Sequence, residues 1–499
     1  MAPDTVTSGS RNETVAAGPV TEETAKPDLS REARLPGLGA GRGRLVAFIL
    51  WLILLAQGVA FALIQPVWSR VDEAQHFHYV QYLVENRTLP VEGQTFISRE
   101  VMDVSLAENQ WGWRPAGALS TPLYLDPAQW IPVPEGLGDQ DREKWVRRNL
   151  WQFNYEAMQP PLYYLVNSPV YAALPDDSFI RLYGMRLLAA LLASAMVPIT
   201  FLVAREAFPD SRLVLYGAPV VVLLTQGYAL NMSQASNDVL AVPLAAAAML
   251  VLLRLVGRGF SWQWSLLAGV LIGASLLSKL TTIFLLPVAL LALSMPVAYR
   301  RQRPGRALLN AGIIFGVAAV LVAPWLAHNL AVYGDATGAS AARPLMSSFF
   351  WSPAISTDTL RLDELLPTYW FGEPVFPFPF WTWAWIAVGP AMMAAGVGLL
   401  YYFLDQNRRQ VPDVRIRVLF LLFAFIISAA VSLVIPFASG IGGVPGRYLY
   451  PLMPAGAFLL MFGMDRLLRR ERALFLAELM LAWMVFWESL NFLAYVKNL

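Results

Sequence analysis

LVAFILWLILLAQGVAFALI, residues 45–64, is a run of twenty residues without a charge. As a helix rising 1.5 Å per residue it is about 30 Å long, the thickness of a bilayer's hydrocarbon core. It exceeds the apolar part of a cleavable signal, about 7–15 residues, so it is expected to stay as a membrane helix. Comparable runs recur to the C-terminus of a 499-residue chain that is 57% hydrophobic and 14% charged, with mean hydropathy +0.49. The fold class that follows is an all-α polytopic membrane protein.

Outward from that helix, apolar runs place about eleven crossings at 45–65, 183–204, 213–230, 238–255, 264–278, 280–298, 307–328, 380–404, 416–437, 447–465 and 472–494. Residues 1–40 are rich in Thr, Ser, Ala, Gly, Pro and charge, and read as a disordered arm before a membrane domain over 41–499. A net charge of +2 gives no footing for nucleic acid. The chain has no cysteine, which excludes disulfides and thiolate metal sites and fits a bacterial-type membrane protein.

Short loops alternate in character. AREAFPDSR (204–212), RLVGRG (254–259), YRRQRPGR (299–306), DQNRRQVPDVRIR (405–417) and DRLLRRER (465–472) are arginine-rich and therefore cytoplasmic, as is the N-terminal arm. The complementary loops then face outward, including two long ones at 66–182 and 329–379. They carry Asp72, Asn237, Asp238, Lys279, His328, Asn329, Asp335 and Arg447, a gathering that was not used to assign the topology. PPLYYLVNSPVYAAL (160–174) is apolar but too short to cross, and reads as an interfacial helix with tyrosines at the boundary.

SRVDEAQHFHYVQYL (69–83) follows the first crossing and holds two acids and two of the three histidines. In one reading Ser69 caps an interfacial helix and Asp72 favours its N-terminus. In the other, helical spacing sets Asp72, His76 and Tyr79 on one face and Glu73, Phe77 and Val80 on the next. A carboxylate there can take a proton from an attacking hydroxyl, or hold a divalent cation such as Mg or Mn with Asp72 or Glu73 as ligand. His76 and His78 project apart, against a two-histidine metal site. No other cofactor is implied.

Lys279, between two apolar runs, either snorkels or partners a phosphate. Arg447 in VPGRYLYP has the same two readings, with the planar fork of arginine suited to phosphate. Asn237 or Asp238 can cap the next helix. His328, Asn329 and Asp335 end a crossing in a good turn sequence. Trp351, Trp370 and Phe371 can stack on a sugar, whereas Trp381, Trp383 and Trp385 suit the aromatic belt.

The ordered series VDEAQHF (71–77), QPPLYYL (159–165), RLYGMRLLAALL (181–192), SNDVLAVPLAAAAMLVLL (236–253), SLLSKLTTIFLLP (275–287), APWLAHNLAVYGD (323–335) and GRYLYPLMP (446–454) resembles the GT-C superfamily of membrane glycosyltransferases. The likeness is to the branch of protein O-mannosyltransferases, lipid A aminoarabinose transferases and Rgt-type enzymes, and spans roughly 45–470. It implies a GT-C-like bundle of about eleven transmembrane helices, with interfacial helices in a large first extracytoplasmic loop.

The resemblance further implies transfer of a sugar from a polyprenyl-phosphate donor to a glycan, lipid or protein acceptor at the outer face of a bacterial plasma membrane. Asp72 would be the catalytic base with Glu73 in support, and Lys279 and Arg447 would hold the donor phosphate. His76, Gln159, Tyr163, Asn237, Asp238, His328, Asn329 and Asp335 would line the substrate site. The chain departs from the superfamily at Gln159, where a histidine often precedes the paired prolines. Two further readings are a lipid-carrier flippase, for which Glu478 and Glu488 in the last crossing are the candidate ionisable groups, and a non-catalytic lipid-binding scaffold on the same fold.

Overall fold

The computed structural model describes residues 40–68, 72–101, 104, 136, 154–338, 362–372, 380–405, 412–438 and 446–467, with isolated positions between 479 and 489. The described chain is helical, and the protein is an all-α polytopic membrane protein. Helix α1 is Ala40–Ile64, α2 Glu73–Asn86, α3 Leu162–Ala173, α4 Ser178–Ser194, α5 Met196–Ala207, α6 Arg212–Leu223 and α7 Gln226–Asn231. They are followed by α8 Asp238–Arg258, α9 Trp262–Ser278, a 3₁₀ turn Leu280–Phe284, α10 Leu285–Arg300 and α11 Pro304–Tyr333. The rest are α12 Leu362–Phe371, α13 Phe380–Leu404, α14 Pro412–Ala438, a 3₁₀ turn Gly446–Leu452 and α15 Met453–Leu467.

Among the described residues, six segments are long and apolar enough to cross a membrane, α4 and α5 counting as one, with three shorter apolar helices besides. The first ten expected crossings all coincide with helical segments. The run at 472–494, with Glu478 and Glu488, lies almost wholly outside the described residues, as do residues 1–39.

Two crossings differ from the simple apolar run. The second begins at Ser178, because the Asp177 side chain accepts from the Ile180 amide and starts the helix early, and it is interrupted at Ala195, three residues before Pro198. The 213–230 run breaks after Leu223, where Thr225 turns its hydroxyl back onto the Val221 carbonyl at 2.8 Å. The apolar 160–174 segment forms α3, whose twelve residues span only about 18 Å. It packs on α2 and α4, with Tyr163, Tyr164 and Tyr171 buried.

Helix α8 is apolar on nearly every side and is buried on nearly every side, at the centre of the bundle. Helix α11 keeps most of its apolar residues outward, with Leu308 and Val320 about three-quarters exposed (74% and 73%), as a lipid-facing helix should be. Helices α13 and α15 meet backbone to backbone: a Cβ at Gly398 would strike the Gly463 carbonyl, and one at Gly463 the Ala395 carbonyl. Small residues allow this approach, and tight packing supplies the association energy that lipid does not. Gly398→Ala is expected to destabilise the protein by about 1–3 kcal/mol, read as a lower midpoint of unfolding in mild detergent. An unchanged midpoint would show that the two helices separate at no cost.

Candidate active site

Asp72 immediately precedes α2 in the left-handed conformation, φ 77°, which costs an L-residue about 1 kcal/mol. Its side chain makes no cap hydrogen bond. Only its backbone carbonyl serves the helix, accepting from the His76 amide at 2.9 Å. The carboxylate is turned aside instead: Tyr155 donates to Oδ1 at 2.7 Å, and the Arg447 guanidinium stands 3.9 Å from Oδ2. Of the two readings of this stretch, the one that has Ser69 as the cap rests on a residue that lies outside the described residues.

The two cations are placed by breaks in helical structure. Lys279 ends α9 in extended conformation, φ −157°, before the 3₁₀ turn begins, so it leaves the helix axis where the chain changes direction. Its Nζ is 2.8 Å from Asp238 Oδ1 at the N-terminus of α8. Arg447 lies in the turn Gly446–Leu452. Gly446 permits close docking on α12, since a Cβ there would strike the Tyr369 backbone, and its amide donates to Thr368 Oγ1 at 2.7 Å. Tyr448 follows, its ring 5.9 Å from Lys279 Nζ and 6.0 Å from the Arg447 guanidinium carbon, a shared cation–π platform.

The segment 154–161 closes the cluster. Gln159 receives the Asn237 amide on its Oε1 at 3.3 Å and the Tyr79 hydroxyl on its carbonyl at 3.2 Å, joining α2, α3 and α8. The site thus brings together Asp72, Gln159, Asn237, Asp238, Lys279 and Arg447 of the expected residues. His76 lies beneath them, 3% exposed, its Nδ1 2.9 Å from the Tyr164 hydroxyl. Burial, with Lys279 nearby, brings the His76 pKa down to about 3, and burial does the same for His78. Both are neutral at ordinary pH.

Other expected site residues are placed elsewhere. Glu73, expected in support of Asp72, points inward and forms a bidentate pair with Arg186, at 2.8 Å from Nε and 2.6 Å from the terminal nitrogen. Asp72 precedes the helix in the left-handed conformation, whereas Glu73 is its first residue and lies on the buried side. Tyr163 is fully buried, edge-on to His76 and Tyr164, rather than lining an opening. Asn329 donates to the Ala336 carbonyl at 3.2 Å and Asp335 accepts from the Thr337 amide at 3.0 Å, so both build the turn after α11. His328 is partly exposed on the same helix end. Trp370 is buried in the core, Trp385 is exposed, and Trp351 and the side chains of Trp381 and Trp383 lie outside the described residues.

Four residues escaped the sequence reading. Arg186 sits inside an apolar run, where a charge requires a partner, and that was its signal. Tyr155 and Glu156 occupy a stretch in which the double proline drew attention, and Tyr448 stands next to Arg447 in VPGRYLYP, where the arginine was the residue singled out. Glu156 is 8% exposed, and burial together with the Asp72 carboxylate pushes its pKa up to about 8. Burial acts against the Lys279 charge, yet the Asp238 carboxylate holds the ammonium above its ordinary value.

Among the described residues no group of three or more His, Asp or Glu could hold a metal ion. Among the described residues the positive charge facing Asp72 is that of Arg447, and Lys279 pairs with Asp238.

Residues 171–328 match the family model described as dolichyl-phosphate-mannose-protein mannosyltransferase. The match takes in Asn237, Asp238 and Lys279 and leaves Asp72 and Arg447 outside it. No curated protein sequence matches the chain. Among solved structures, the chain is similar to ArnT from Cupriavidus metallidurans bound to undecaprenyl phosphate, at 13% identity and TM-score 0.50, covering 88% of this chain and 61% of that one. It is also similar to the oligosaccharyltransferase AglB from Archaeoglobus fulgidus, in complex with an inhibitory peptide and a dolichol-phosphate, at 12% identity and TM-score 0.50, covering 90% of this chain and 56% of that one. The chain therefore spans less than two thirds of the length of either. The helical bundle of this chain shares the fold of these two structures.

Proposed function

We propose that this chain is a glycosyltransferase that moves a sugar from a polyprenyl-phosphate donor to a lipid, glycan or protein acceptor at the extracytoplasmic face of the membrane. The observation that carries the reading is the Asp72 carboxylate, one-fifth exposed, with Tyr155 on one oxygen and Arg447 facing the other, in one cluster with Lys279. An acid whose side chain caps nothing, held in a strained backbone conformation facing Arg447, is an arrangement folding alone does not require. The undecaprenyl phosphate in ArnT and the dolichol-phosphate in AglB support a lipid-phosphate donor.

In this reading the acceptor hydroxyl attacks the anomeric carbon as its proton passes to Asp72. The bond from that carbon to the phosphate oxygen breaks, and the electron pair leaves with the phosphate. Lys279 and Arg447 stabilise the developing charge in a site shielded from bulk water. Direct displacement inverts the anomeric configuration, so a product that retains it would exclude this mechanism.

The test is purified protein in lipid with a panel of polyprenyl-phosphate sugars, following thermal stabilisation and release of carrier phosphate. One donor is expected to stabilise the wild type. Lys279→Ala, which removes a charged hydrogen-bond donor, is expected to weaken that donor's binding by about 10- to 100-fold. If no donor in the panel binds or is consumed by well-folded protein, the transferase reading fails.

A further inference from the structure

Segment 154–159 is a strap fastened at both ends. Asn154 is buried; its side-chain nitrogen donates to the Gln75 carbonyl at 3.1 Å and lies 3.0 Å from His78 Nδ1, both on α2. Its backbone amide donates to the Thr95 carbonyl at 2.9 Å. Two successive turns follow, the Ala157 amide donating to the Asn154 carbonyl at 3.2 Å and the Gln159 amide to the Glu156 carbonyl at 3.0 Å. Gln159 ties the far end to Asn237 and Tyr79, and the paired prolines lead into α3.

Tyr155 is the second residue of this strap, and its hydroxyl donates to Asp72 Oδ1 at 2.7 Å, the length of a charge-assisted hydrogen bond. The strap does not need that bond to stay in place, because Asn154 and Gln159 already fasten it to α2, α8 and the Thr95 turn. Asp72 has the greater need: it stands before α2 in the left-handed conformation and its side chain makes no cap bond. Arg447 is 3.9 Å from Oδ2, beyond hydrogen-bond distance, and Lys279 is paired with Asp238. Attraction at that range sets the charge of the surroundings, whereas the bond from Tyr155 sets the angle of the carboxylate.

We propose that Tyr155 is a positioning residue for the transfer reaction: its hydroxyl, carried on the doubly fastened strap, aims the Asp72 carboxylate at the acceptor hydroxyl whose proton it takes. This rests on the transferase reading and adds the residue that directs the base. Tyr155 keeps its own proton throughout. The acceptor's proton goes to the Asp72 carboxylate as the acceptor oxygen bonds to the anomeric carbon, and the phosphate leaves with the electron pair. A base must stand within hydrogen-bond reach of the proton it takes, and a misplacement of about 1 Å can cost about 10²-fold in rate.

Tyr155→Phe removes the hydroxyl and keeps the ring, at a position that is only partly buried. The experiment follows carrier-phosphate release by full-length protein in lipid nanodiscs from short-chain polyprenyl-phosphoryl hexoses and pentoses, with water and an alkyl glycoside as hydroxyl acceptors. Donor affinity and the unfolding midpoint are measured beside it. Tyr155→Phe is expected to lower kcat about 10- to 100-fold, with donor affinity and midpoint as in the wild type.

A second measurement separates positioning from support of the fold. Adding Tyr155→Phe to Asp72→Asn should bring no further loss of kcat, because a residue that acts through the base has no base left to aim and the two effects are coupled. Should Tyr155→Phe fold poorly, Tyr155→Leu is measured in the same way on the folded fraction. An undiminished kcat without the hydroxyl, a loss seen only as weaker donor binding or a lower midpoint, or equal losses in the wild-type and Asp72→Asn backgrounds overturns this inference alone. No carrier-phosphate release by folded wild type from any of these donors overturns the transferase reading with it.

Discussion

Asp72→Asn is expected to reduce sugar transfer by about 10²- to 10⁴-fold, the usual contribution of a positioned base, without weakening donor binding or lowering the unfolding midpoint. The substitution is nearly isosteric. An asparagine oxygen can still accept from Tyr155, and Asn tolerates the left-handed conformation at φ 77° as well as Asp does. It also caps helices well, so any structural service at the start of α2 is retained. What disappears is the negative charge and the capacity to take a proton. Carrier-phosphate release measured beside donor binding separates the two effects. A mutant that retains more than about a tenth of the wild-type rate would remove Asp72 from the role of base, since that loss is below what general-base catalysis supplies.

The largest effect on stability is expected at Arg186. Its guanidinium is fully buried, pairs with both oxygens of Glu73, and donates to the carbonyls of Ala62, Gln65 and Pro66 at 3.2, 2.7 and 2.7 Å. One side chain on α4 thus satisfies the carbonyls at the end of α1 and anchors the start of α2. The Ala235 amide completes the set on Glu73 Oε1 at 3.0 Å. Arg186→Met leaves Glu73 buried without its counter-ion, which costs about 3–5 kcal/mol. A large drop in the unfolding midpoint, or loss of folded protein, is the expected reading. Glu73→Leu with Arg186→Met removes both charges and should recover much of the loss, because the pair's own net contribution is small once desolvation is counted. If the single substitution costs less than about 1 kcal/mol, water must reach Glu73 and the pair is not sealed.

Asp72 and Glu73 show how far adjacent residues can part. Their residue types and their position after the first crossing were legible, but Asp72 stands before α2 in the left-handed conformation, and on α2 both expected helical faces are buried. Which acid would meet bulk solvent and which would meet Arg186 depended on where α4 lies, 113 residues away along the chain. Tyr163 and Tyr164 make the same point: the pattern marked an interfacial helix, but packing against α2 gave the hydrogen bond to His76 to Tyr164 and buried Tyr163. Local breaks were harder still. The interruptions at Ala195 and after Leu223 arise inside continuous apolar runs, where hydropathy carries no information about backbone hydrogen bonding.

The sequence by itself determined that this is a helical membrane protein and, among the described residues, where its apolar helical segments lie. Those properties follow from transfer of side chains into lipid, which is additive along the chain and readable from residue type. Tertiary structure alone decided that Asp72, Tyr155, Asp238, Lys279 and Arg447 form one cluster and that Glu73 belongs to the core. Coulomb interaction and desolvation depend on distances between segments far apart in sequence, and only the packing of the helices sets those distances.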